Sequence, residues 1–196
     1  MTIKNSLLIF FSLFLYSSLI FGFTIGEDLN AGAKSDFYGI VKIAKIFISD
    51  YKYHFLNYDE LIERHSPIII FIIAKLIEIG LEITTIQLIL LHISLFLCVY
   101  FYKSLKIIFY DTDKLWLKYL SLVLFLSPTF RAISIWPDSR IFGLLFFTIS
   151  LYYFLKFKCK KKKISYVLAN SFFLAISSYL SPNFSIFALY FFINYL

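Results

Sequence analysis

Apolar stretches of membrane-crossing length, broken by short polar segments, recur through this chain of 196 residues and restrict its fold more than any other feature. A bilayer core of about 30 Å takes roughly 20 apolar residues as a helix, because hydrocarbon offers no partner to an unpaired backbone group. Five or six stretches suit that requirement: Leu7 to Phe23, Ile83 to Tyr102, Leu115 to Phe130, Ile141 to Phe157, Ile164 to Leu180, and a last one from Pro182. The composition agrees, with 60% hydrophobic and only 16% charged residues, against roughly 25% charged in a soluble domain. A water-soluble globular fold and a disordered chain are both excluded. The fold class expected is all-α, a polytopic transmembrane helix bundle of five to six spans.

The first stretch is long for a signal peptide and lacks a small-x-small cleavage site, so it reads as an uncleaved anchor. The last stops at Leu196 while still apolar, so residues 1–196 read as a single membrane domain that is incomplete at its carboxy terminus. Pro67 to Ile79 is apolar but short and carries Lys75 and Glu78, which suits a re-entrant or interfacial helix. If that segment does not cross, Lys4, the lysines of 103–118 and the six lysines of 156–163 share one side. By the positive-inside rule that side is the cytoplasm. The expected placement is therefore multi-pass in the cytoplasmic (inner) membrane with a cytoplasmic amino terminus. Most of the formal charge of +7 lies in these runs, so it reports topology and not nucleic-acid binding. Cys98 and Cys159 have neither disulfide nor zinc spacing.

This topology gathers the scarce residue types on the outer face. All four prolines and all three arginines, Arg64, Arg131 and Arg140, fall there. Ser66-Pro67, Ser127-Pro128 and Ser181-Pro182 each read as a helix start, with a capping hydroxyl and a preset φ. In a lysine-biased chain, arginine marks places where a planar fork matters, at phosphate or carboxylate, with interfacial snorkelling as the plainer alternative. The long outer loop, Thr24 to Glu82, opens with an acidic turn holding Glu27, Asp28 and Asp36. Phe37, Ile40, Val41, Ala44, Phe47 and Ile48 then recur at helical spacing opposite Lys42 and Lys45, as in a helix lying on the membrane surface. Asp36 is either that helix's cap or a reactive carboxylate. His65 is either a solvated loop residue or a phosphate donor. In the second outer turn, Arg131, Asp138 and Arg140 sit at the membrane edge, where charges are costly unless paired or facing water. Trp136 reads as an interfacial anchor. His92, inside a span, is expected to make an interhelical hydrogen bond.

The Gly26-Glu27-Asp28 turn, the Asp36-Phe37 pair, the His65-Ser66-Pro67 start and the stretch Leu126-Ser127-Pro128-Thr129-Phe130-Arg131 through Ile135-Trp136 together resemble a known pattern. It is that of the amino-terminal half of the GT-C superfamily, polytopic glycosyltransferases that use polyprenyl-phosphate sugars, and of GT-C-like membrane proteins of AT-rich marine bacteria. The likeness covers essentially the whole chain through short motifs. It implies an early outer-loop acid acting as base or metal ligand, here Asp36 first and Asp28 second, with Asp138 as the second-loop acid. It also implies that Arg64, His65, Arg131 and Arg140 meet the carrier phosphate, that the partners are membrane lipid and a polyprenyl-phosphate sugar, and that a divalent cation could share the phosphate role without being required. The chain departs from the family pattern in the reversed order Glu27-Asp28 and in lacking the later spans. The function so implied is transfer of a sugar from a polyprenyl-phosphate donor to an acceptor at the outer face. The alternatives are a truncated or non-catalytic polytopic membrane protein and a lipid or sugar transporter. Oligomeric state is not legible.

Overall fold

The computed structural model describes residues 3–29, 32–61 and 66–195. Every regular element among them is helical: α1 (Ile3–Ile25), α2 (Ala33–Phe47), α3 (Tyr51–Leu56), α4 (Pro67–Glu78), α5 (Ile83–Ser94), α6 (Phe96–Ile108), α7 (Lys114–Leu122), α8 (Pro128–Ile135), α9 (Ser139–Cys159), α10 (Ile164–Leu180) and α11 (Ile186–Tyr195). Tighter 3-10 turns occupy Tyr58–Leu61, Val123–Leu126 and Pro182–Phe184.

Among the described residues three stretches are long and apolar enough to cross a bilayer: Asn5–Ile25, Ile83–Ile108 and Ser139–Cys159; the apolar α10 is shorter, at 17 residues. In α1, from Asn5 on, only Leu15, Leu19 and Gly22 are fully covered, a single narrow stripe, while Phe10, Leu13, Phe14 and Phe21 stand exposed. A helix apolar on every side is at home in hydrocarbon. Helices α5 and α6 form one nearly continuous rod, since Leu95 between them keeps right-handed helical angles (φ −65°, ψ −21°). Ser94 Oγ donates back to Leu91 O at 2.6 Å there, the kind of bond that bends a helix.

The stretch Leu115 to Phe130 is not the single span its apolarity suggests. It is divided into α7, a 3-10 turn and the start of α8. The reason is Pro128, which cannot extend the preceding turn. Ser127 instead opens a new helix, its Oγ accepting from Phe130 N at 3.3 Å. Ser66 starts α4 in the same manner, accepting from Ile68 N at 3.4 Å, whereas Ser181-Pro182 begins only a 3-10 turn with no side-chain cap.

Helix α2 is amphipathic as its spacing predicts, but its apolar side does not rest on lipid. Phe37, Ile40, Ala44 and Phe47 are fully buried, and α2 packs on α4 and α8 while Lys42 and Lys45 stay exposed. Burial on α4 answers that helix too, whose Ile69, Ile70, Ile73 and Ala74 form the facing stripe. These residues join Leu15 and Leu19 of α1, Ile86 and Leu91 of α5, and Ile141 of α9 in one core.

Polar groups fasten the long helices. His92 Nδ1 lies 2.7 Å from Leu88 O, so that nitrogen carries the hydrogen and Nε2 accepts from Tyr16 O–H at 2.9 Å, joining α5 to α1. Between α9 and α10, Asn170 Nδ2 donates to Ser150 O (2.9 Å) and Ser150 Oγ (2.7 Å), while Ser150 Oγ lies 2.9 Å from Asn170 O. Gly143 lets α10 close on α9, because a Cβ there would stand 2.8 Å from Ser181 Cβ.

The helices sort the charges into two ends. Leu8 of α1, Tyr102 of α6 and Lys118 of α7 line one cavity, so the start of α1, the end of α6 and the start of α7 meet. Lys106 at the end of α6 and Lys160 just after α9 line another. The lysine segments 103–118 and 156–163 thus share one end. Arg140, at the start of α9, lies about 27 Å from Lys158 along the helix at 1.5 Å per residue. Replacing Asn170 with Leu is expected to loosen the α9–α10 pair by about 1 kcal/mol. Thermal unfolding in detergent, with Ser150→Ala and the double variant completing a cycle, checks this by non-additivity.

Candidate functional site

The arginine end is built from the carboxy terminus of α1. Gly26, at φ +70°, takes the left-handed position after the helix. Glu27 N then donates to Gly22 O at 2.8 Å and Gly26 N to Phe23 O at 3.2 Å, a paired closure of the last turn. That closure leaves Glu27 beside carbonyls that carry partial negative charge, a poor place for a carboxylate on its own.

Arg131 of α8 supplies the compensation. Its Nε donates to Glu27 Oε1 at 2.7 Å and its Nη2 to Glu27 Oε2 at 2.6 Å, a two-pronged pair with both side chains almost covered. The guanidinium also donates to Ser18 Oγ (3.2 Å) and Ser18 O (3.1 Å). Donating hydrogen bonds to the Glu27 carboxylate raises the Arg131 pKa further, against the opposing effect of burial. Gly22 makes room for this: a Cβ there would overlap Glu27 Oε2 and stand 2.9 Å from Arg131 Nη2. Trp136 Nε1 donates to Glu27 O at 2.8 Å. The tryptophan is 5% exposed and packs its ring on Phe37 and Tyr38, so it is an internal clamp and not the membrane-facing anchor its position suggests.

A second cluster adjoins through α2 and α9. Asp138 is the N-cap of α9, its Oδ1 accepting from Arg140 N at 2.7 Å. Its Oδ2 accepts from Arg140 Nε at 2.7 Å and from Nη2. The residue is fully buried, a depth that a carboxylate tolerates only with such partners. Arg140 Nη2 also reaches Asp36 Oδ2 at 2.7 Å. Asp36 is not the cap of α2; Gly32 holds that position and Asp36 lies one turn in. Asp28 turns the other way, its Oδ2 accepting from Gly32 N and Lys34 N at 3.4 Å each. Its Oδ1 is buried and has no hydrogen-bond partner among the described residues.

Of the sequence-derived candidates, Asp36, Asp138 and Arg140 therefore meet directly, and Arg131 is bound to the neighbour of Asp28. Arg64 and His65 lie outside the described residues. Gly26 and Glu27 stand out in sequence only as part of the Gly26-Glu27-Asp28 turn and not as site residues, and Gly22 and Lys34 do not stand out at all, although a glycine directly after a long apolar helix is the signal for the closing turn. The accessible groups are few: Arg140 is 45% and Asp36 41% exposed, and Lys34 is exposed with its Nζ 5.1 Å from the Trp136 ring. What solvent meets of the cluster is thus the Arg140 cation on the Asp36 carboxylate, while Glu27 and Arg131 neutralise one another inside. A divalent ion does not fit between Asp36 and Asp138, since Arg140 occupies that position. Among the described residues no group of three or more His, Cys, Asp or Glu gathers elsewhere either.

Compared with family models, with curated proteins and with solved structures, the chain matches none.

Removing one member of the covered pair leaves an uncompensated charge. Arg131→Met is expected to cost about 3 kcal/mol of stability, and Glu27→Gln in the same chain to restore part of it. Thermal unfolding of the two single variants and the double variant measures this; additive losses would contradict the pairing.

Proposed function

We propose that this chain is a membrane glycosyltransferase that moves a sugar from a polyprenyl-phosphate donor to an acceptor, working at its arginine end on the outer face of the cytoplasmic membrane. The observation that carries this reading is the exposed Asp36–Arg140 pair, with Arg140 held from behind by buried Asp138. The orientation follows from lysine bias: a membrane protein keeps its lysine-rich loops in the cytoplasm, which turns the other end outward.

In this scheme the acceptor hydroxyl attacks the anomeric carbon and the bond from that carbon to the carrier phosphate breaks. The electron pair leaves with the phosphate, and Asp36 takes the hydroxyl proton. A carboxylate suits proton removal, and fixed cations suit a departing phosphate. Arg140 supplies the cation beside Asp36. Donor phosphate arriving at Arg140 competes with Asp36 for the same Nη2, which frees the carboxylate when the donor is in place. Arg131 takes no direct part, because its fork is spent on Glu27 and Ser18. Asp28 is the weaker candidate base, with one oxygen at backbone amides and the other covered.

A second reading has an observation of its own. Glu27 and Arg131 are engaged by one another, with Ser18 as a further partner of Arg131, and Asp138 is engaged by Arg140, as in a network that only ties helices together within a non-catalytic membrane protein. One experiment separates the two: transfer of labelled sugar from polyprenyl-phosphate hexoses by membranes holding the wild type or Asp36→Asn. The transferase reading predicts transfer by the wild type and a loss of about 10²-fold or more in Asp36→Asn, with insertion unchanged. Wild-type rates in Asp36→Asn, or no transfer from any such donor, would contradict it.

A further inference from the structure

At the opposite end of the molecule the cations are arranged in another way. Helices α6 and α9 finish side by side, and a cavity of about 260 Å³ between their ends is lined by Lys103, Lys106, Ile107, Tyr152, Lys156 and Lys160. Lys106 and Lys160 also line an adjoining cavity of about 370 Å³, to which Lys114 contributes. None of these lysines forms an ion pair among the described residues. The nearest acids in sequence are Asp111 and Asp113, and Asp113 is engaged as the cap of α7, accepting from Leu115 N at 2.9 Å.

Helix dipoles account for part of this, since Lys106 and Lys156 lie in the last turns of α6 and α9, where positive charge is favoured. They do not account for the crowding. Lys103 and Lys106 stand three apart on one helix face, Lys156 and Lys160 four apart along the other, and like charges at those spacings repel. The two pairs then converge on one cavity. Aromatic rings hold two of the stems in place: Lys103 Nζ is 4.5 Å from the Tyr100 ring centre, and Lys156 Nζ is 4.7 Å from that of Tyr152 and 5.3 Å from that of Tyr166. Such contacts fix an ammonium without neutralising it.

We propose that this lysine cavity is a binding site for a phosphate group, either the headgroup of an anionic membrane lipid or a soluble phosphate. An anion there relieves the repulsion between the converging ammonium groups. A basic pocket between membrane helices, beside a polybasic segment, has the chemistry that recognises anionic headgroups. The site is independent of the arginine end and of any reaction carried out there.

The test uses the whole chain in detergent micelles and counts retained lipid by native mass spectrometry, with phosphatidylglycerol and phosphatidylcholine as probes. Phosphatidylglycerol is expected to be retained in preference, and K103Q/K156Q to lower that preference by roughly tenfold or more. K103R/K156R keeps the charge and is expected to keep the preference. K161Q/K162Q, in the loop beyond the cavity, is expected to leave it unchanged. Thermal unfolding of each variant confirms that it is folded. Displacement of the lipid by millimolar inorganic phosphate supports the site and assigns it a soluble occupant; retention in the presence of phosphate supports it and assigns the lipid. No preference in the wild type, no loss in K103Q/K156Q, or an equal loss in K161Q/K162Q would overturn the proposal.

Discussion

The salt bridge between Glu27 and Arg131 is the constraint on which the arrangement of the arginine end rests. Two charged groups at the end of an apolar helix are tolerable only in company, and here each satisfies the other with two hydrogen bonds. The pair pins the short α8 against the end of α1. Because only Trp136, Pro137 and Asp138 separate α8 from α9, pinning α8 also sets where α9 begins. Asp138 then caps α9 and holds Arg140, and Arg140 reaches Asp36 on α2. Four helices are thereby referred to one corner through two guanidinium groups.

Arginine and lysine are used differently at the two ends, for a reason in their chemistry. A guanidinium presents fixed donors that match a carboxylate and tolerates partial burial when so matched, whereas an ammonium is compact and strongly hydrated. Arg131 and Arg140 are accordingly engaged by acids, while the lysines after α6 and α9 remain without ion-pair partners among the described residues. This sorting leaves the arginines of one end matched by acids and the other end strongly positive. Reaction chemistry is proposed for the first and anion binding for the second.

Short-range features of this fold were legible in the sequence. The apolar lengths of α1, α5–α6 and α9, the Ser66 and Ser127 helix starts, the amphipathic spacing of α2 and the hydrogen bond of His92 all follow from residues within a turn or two, or from the cost of leaving a polar group in hydrocarbon. The failures were of two kinds. Apolarity alone carried a span across Pro128, although the same Ser127-Pro128 pair was recognised as a helix start and the two assignments cannot both hold. The surface placement of α2 failed because spacing gives an apolar face but not what covers it; α4 and α8 do. In the site, the meeting of Asp36, Asp138 and Arg140 could be anticipated once the loops were assigned to one side. That Arg131 would be consumed by Glu27 could not, since the partners are 104 residues apart and several carboxylates nearby were equally eligible. Trp136 was misplaced for the same reason: a tryptophan at a helix boundary has the same local sequence whether it faces lipid or a backbone carbonyl.

The two-ended distribution of charge is tested most directly by side-specific labelling with a membrane-impermeant maleimide. The background is Cys98→Ser with Cys159→Ser, which removes the free thiols of the described chain, and single cysteines replace Ser35 and Lys162 in turn. The structure and the lysine bias together predict that Ser35→Cys labels in intact cells and Lys162→Cys only after permeabilisation. Labelling of both positions from the same side would contradict the separation of the arginine end from the lysine end and, with it, the outer-face site.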